Sequence, residues 1–67
     1  METYAVVLID RNESGAVEAI TWLSQPDLPL EYARELLQFH RAGAEIYPTI
    51  RGFNLWNVDL AKGPVTA

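Results

Sequence analysis

His40 is the only histidine in the chain, and its imidazole is the one side chain whose ordinary titration lies near neutral pH. It has the chemistry of a general base, a metal ligand or a pH switch. Yet no second ligand stands near it at metal-binding spacing, and there is no cysteine to complete a site. Its place on an apolar helical face fits a packed, hydrogen-bonded histidine better. Asp10 and Asp59 each close an apolar segment, and they would form an acid/base pair or a cation site if their strands were neighbours. Capping, turn formation and solvation account for them more simply. Glu31 and Glu35 stand four apart on one helical face, where they repel each other unless a basic partner meets them. Ser14, Ser24 and the threonines form no nucleophile pattern, because no Gly-x-Ser-x-Gly elbow occurs and His40 is the sole histidine base. The glycines are isolated, so no phosphate-cradling loop is read. These residues predict a protein that is not an enzyme and uses no metal or cofactor.

The run Arg51-Gly52-Phe53-Asn54-Leu55-Trp56-Asn57-Val58 invites comparison with the strand of RNA-recognition modules, in which a basic residue, a glycine and spaced aromatics present stacking rings on a sheet. Asn54 stands where that pattern has a small residue, and Leu55 where it has its second stacking aromatic. Packing within a sheet, with Gly52 in a bend, explains the run without a nucleic acid. The formal charge of −4 also disfavours phosphate backbones and anionic lipid. Single-stranded nucleic-acid binding is therefore an alternative rather than the leading reading. A small hydrolase or metal-dependent enzyme built on His40 with Asp10 or Asp59 is another.

Whatever these residues do, 67 of them form one small domain and not two. A chain of this size hides only about 60% of the surface its unfolded form exposes, so covering apolar surface with a partner or a second copy is favourable. With 49% apolar and 21% charged residues the chain has the composition of a folded protein. The N-terminus shows no basic leader, and no stretch approaches the roughly 20 apolar residues of a membrane helix. The cytosol is the expected location, with no membrane attachment.

The patterning predicts an α+β domain of order ββαββ over 1–60, mainly antiparallel, with one helix packed on one face and a flexible tail over 61–67. Residues 3–10 alternate Tyr4, Val6 and Leu8 with Ala5, Val7 and Ile9, apolar on both sides as in a central strand. Arg11 to Gly15 has hairpin-loop chemistry, and a second strand follows over about 16–23, with Glu18, Ile20 and Trp22 on one side. A helix is predicted over about 28–42, capped by Asp27, with Ser24 as a rival cap, Pro29 in its first turn and Gly43 at its end. Glu31 near its start and Arg41 near its end suit the macrodipole. Leu30, Ala33, Leu36, Leu37 and His40 share its core face, flanked by Tyr32 and Phe39. Strands over 44–50 and 53–60 complete the order, with Pro48 expected at an edge, a bulge or a strand end.

These features lead to a small non-catalytic protein-interaction module, acting as a regulator, inhibitor or accessory subunit, or associating with itself. Its expected contact surface contains Glu31, Tyr32, Glu35, Phe39, Phe53 and Trp56, provided the aromatics reach one exposed side.

Overall fold

The computed structural model of the protein describes residues 1–40 and 42–65. The chain runs β1 (Thr3–Arg11), β2 (Val17–Trp22), α1 (Leu30–Leu37), β3 (Ala44–Gly52) and β4 (Leu55–Val58). The expected ββαββ order holds. The strands form one antiparallel sheet in the order β2-β1-β3-β4, curled into a half-barrel with the helix packed on it.

The two nine-residue strands, β1 and β3, occupy the centre because they alone are apolar on both faces. Val6 and Ile46, paired in register, face the helix and join Leu28 and Ala33 in a buried cluster. Tyr4, Leu23, Leu30, Leu36, Leu37, Ala44 and Val65 pack around it. Ala5, Val7 and Tyr47 are buried on the other face, with Ile9, Ile20 and Val58 against them. Leu30, Ala33, Leu36 and Leu37 of the predicted core face thus pack as expected, whereas His40 lies past the end of the helix.

Loop chemistry sets the edges of this frame. The Asn12 carboxamide oxygen accepts hydrogen bonds from the Ser14 and Ala16 amides and the Ser14 hydroxyl, closing the β1–β2 loop over Gly15, whose φ is +87°. At the far end of β2, Leu23 donates to the Val6 carbonyl, and the Val6 amide donates to the Ser24 hydroxyl oxygen at 2.8 Å. Ser24 therefore replaces a ladder carbonyl instead of capping the helix.

The helix is shorter than predicted at both ends. Leu28 is extended and exchanges two backbone hydrogen bonds with Tyr4, at 2.8 and 2.9 Å, which buries its side chain in the core. Helical geometry begins only after Pro29, whose φ of −66° and ψ of 153° are extended and whose carbonyl receives the Tyr32 and Ala33 amides. Asp27 is too far upstream to cap it, and no side chain does. After Leu37 the amides of Gln38, Phe39 and His40 reach back three residues, a tightening typical of a helix end. Arg41, expected in the last helical turn, lies outside the described residues.

The bend expected at Arg51-Gly52 is also displaced. Gly52 stays in β3 opposite Leu55, and the chain reverses at Phe53 and Asn54, whose φ values are +51° and +65°. Two left-handed residues between antiparallel strands make the tight turn whose twist matches the sheet. Pro48 sits within β3, not at an edge. Its carbonyl accepts the Asp59 amide at 2.8 Å, and in an antiparallel ladder a residue's amide and carbonyl point to the same neighbour. The missing amide therefore faces the end of β4, where the pairing stops at Val58.

Residues 61–67 have little apolar content, which gave no reason to expect a contact there. Val65 nevertheless donates a hydrogen bond to the Ile46 carbonyl at 2.7 Å and packs on the core, while Thr66 and Ala67 lie outside the described residues.

Candidate interaction surface

The six residues expected to form a contact surface divide into two groups. Glu31, Tyr32, Glu35 and Phe39 belong to α1 and the turn after it. All are exposed, Tyr32 by 57% and Phe39 by 83%. Tyr32, Glu31 and Glu35 lie on the outer side of α1, away from the residues packed on the sheet. Phe39 follows two residues past Leu37, in a turn whose amide reaches back three residues to Leu36, and adds a second exposed aromatic at that end of the helix.

Phe53 and Trp56 lie elsewhere. Trp56 pairs with Arg51 and stands two residues before Val58, which packs on the helix-free face of the sheet. The alternation of a strand puts Trp56 on that same face, with the sheet between it and the helix. The Arg51 guanidinium carbon lies 5.8 Å from the centre of its ring, within cation–π range. Phe53 is at the tip of the hairpin with its ring wholly in solvent, beside Leu55 and Ile50, which are 66% and 51% exposed. One continuous surface holding all four aromatics does not form.

The comparison with an RNA-recognition strand fails for a related reason. Arg51 to Val58 is a hairpin and not one strand, so its aromatics cannot be presented at successive positions along a single strand. The helix-free face instead draws its aromatics from three strands: Trp22 on β2, Tyr47 on β3 and Trp56 on β4. Tyr47 is buried, and its hydroxyl accepts a hydrogen bond from Arg11 at 3.3 Å, so Arg11 and Tyr47 lie together over this face.

The residues considered for chemistry are scattered. Asp59 is opposite Pro48, which is paired with Tyr4, whereas Asp10 is six residues further along β1, roughly 20 Å at the rise of a strand. β3 also lies between their strands. His40 is half-exposed in the turn after the helix. Among the described residues no group of three or more His, Cys, Asp or Glu side chains is placed to hold a metal ion, and no helix is long and apolar enough to cross a membrane.

One polar cluster was not foreseen. The Tyr4 hydroxyl donates to the Glu2 carboxylate, and the Lys62 ammonium lies 3.9 Å from that carboxylate. The hydrogen bond from Tyr4, then the charge of Lys62, hold the Glu2 carboxyl below the usual glutamate range, and the same hydrogen bond raises the Tyr4 phenol. Alternation along β1 already places Glu2 and Tyr4 on one side. Lys62 has no such signal, because it arrives only through the return of the chain to β3.

Comparison of the chain with protein-family models, with characterised proteins and with solved structures returns no match.

Proposed function

We propose that this chain is a small non-catalytic protein-interaction module that docks through the outer stripe of α1, serving as a regulator, inhibitor or accessory subunit. The observation that supports this reading is the exposed aromatic pair Tyr32 and Phe39 with the carboxylates of Glu31 and Glu35 beside it. Exposed aromatic side chains on and at the end of a helix are anchors by which it enters a groove of another protein, and a carboxylate rim selects a groove with basic walls. The inner face of the same helix is already occupied by its own sheet, which leaves the outer stripe for recognition.

The test compares proteins retained by the immobilised wild type, by Tyr32→Ala/Phe39→Ala and by Glu31→Lys/Glu35→Lys, each checked for folding by circular dichroism. The reading expects a basic partner that the wild type retains in a salt-sensitive manner and that both folded variants lose. Equal retention by all three proteins places recognition on another surface.

A further inference from the structure

The two edges of the sheet are not alike. β2 carries the charged Glu18, its pairing with β1 shifts register at Asp10/Arg11, and beyond Leu23 the Ser24 hydroxyl interrupts the ladder. Charges and bulges of this kind keep an edge strand from pairing with another chain. β4 has neither: Leu55-Trp56-Asn57-Val58 contains no charge and no proline, and its pairing with β3 has no register shift. Because the Asp59 amide points to β3, so do the backbone groups of Asn57 and Leu55, while those of Trp56 and Val58 point outward from the open edge, where the Val58 carbonyl accepts the Leu60 amide at 3.1 Å and has its second lone pair left for a partner.

The surroundings of that edge suit a copy of the same molecule. The chain has nine acidic residues, yet none falls between Ile46 and Val58. Two copies of a molecule at −4 can approach by this segment without setting carboxylate against carboxylate. Large exposed apolar side chains flank this edge strand at both ends, Phe53 by 101% and Leu55 by 66% at its start and Leu60 by 40% past its end.

We propose that a second copy of this chain pairs antiparallel with β4 across a two-fold axis at Asn57, joining the two four-stranded sheets into one. In this register Trp56 exchanges backbone hydrogen bonds with Val58 of the second copy, and the two-fold repeats the exchange. The outward-pointing groups are then the ones that meet. Trp56 and Val58 become cross-strand neighbours on the helix-free face, an aromatic with a β-branched side chain, as favoured between strands. The antiparallel run carries each hairpin tip, with Phe53, toward the Leu60 turn of the other copy. This surface is separate from the helix stripe, so the proposal stands or falls without it.

Sedimentation equilibrium of the purified protein from low to high micromolar concentration tests the pairing, with amide hydrogen exchange read at Trp56 and Val58. The expected result is a reversible doubling of mass, with both amides protected as the dimer forms. Asn57→Lys sets two ammonium groups beside each other on the axis. The side chain it replaces is exposed, so the variant is expected to keep its circular dichroism while the dimer weakens by at least about tenfold. Phe53→Asn is a second variant, expected to weaken the dimer while leaving the monomer folded. Tyr32→Ala/Phe39→Ala is expected to leave the dimer unchanged, which separates this surface from the helix stripe. A wild-type protein that stays monomeric at high micromolar concentration overturns the proposal. A dimer that both Asn57→Lys and Phe53→Asn leave intact overturns it as well.

Discussion

Phe53 combines two costs in one residue. A bulky side chain at φ +51° is disfavoured by its own Cβ, and a phenyl ring wholly in water gains nothing from folding. Asparagine fits the left-handed turn far better. Phe53→Asn is therefore expected to stabilise the isolated domain by about 0.5–1 kcal/mol, measured as a higher denaturation midpoint at unchanged slope. At a concentration below that of dimer formation, a loss of stability would mean that the ring packs within its own chain. Glu2 offers a second prediction. Because the folded carboxyl titrates below the ordinary glutamate value, its contribution is present above that value and fades as pH falls through the depressed one. The raised Tyr4 phenol acts in the opposite sense: its contribution holds below the ordinary tyrosine value and fades as alkali rises through the raised one. NMR titration of the Glu2 carboxyl carbon should give a midpoint below the ordinary range, and Tyr4→Phe should move it upward. An unmoved midpoint in that variant would remove the hydrogen bond as its main cause.

At the scale of elements, alternation made the strands and their faces legible, since a period of two leaves little freedom once both central strands are apolar throughout. The helix core was legible too. Ala33 is fully buried in contact with the sheet, so Ala33→Leu is expected to cost about 1–3 kcal/mol by overpacking. Leu37 is only partly buried, so Leu37→Ala belongs near the low end of the usual range, about 2 kcal/mol. Urea denaturation of the two variants measures both, and a neutral Ala33→Leu would show that the helix can lift from the sheet at little cost. Boundaries were less legible because tertiary pairing overrode local signals. Asp27 and Ser24 have the chemistry of caps, but Leu28 gains more from pairing with Tyr4 and entering the core than from starting a helix. Arg51-Gly52 has the composition of a bend, yet the ladder carries Gly52 to Leu55 and moves the reversal onto Phe53. The surface residues were the least legible. Periodicity placed Trp56 and Tyr32 correctly within their own elements, but which side of the sheet each element presents depends on register, which no local pattern encodes.

The whole molecule repeats one plan around the pairing of Ala5 with Tyr47. In each half a nine-residue central strand folds into a shorter outer strand, Trp22 matching Val58 in the register. The amide after each outer strand, that of Leu23 or Asp59, reaches the central strand at Val6 or Pro48. The chain then loops away and returns for a single bridge, Leu28 to Tyr4 in the first half and Val65 to Ile46 in the second. Both returning side chains enter the core on the helix side, so each acts as a clamp that closes one flank of the sheet. They are unequal clamps, because Leu28 is 7% exposed and makes two backbone hydrogen bonds, while Val65 is only partly buried. Domains of this size have a total stability of only about 3–10 kcal/mol. Leu28→Ala is expected to cost about 3 kcal/mol and to bring the domain close to unfolding at room temperature. Val65→Ala removes less buried surface and is expected to cost about 1 kcal/mol. The two clamps sit on opposite flanks, joined only through the central strands, so the double variant should show nearly additive losses in chemical denaturation. A double variant no less stable than Leu28→Ala alone would mean that the second flank contributes only when the first is closed.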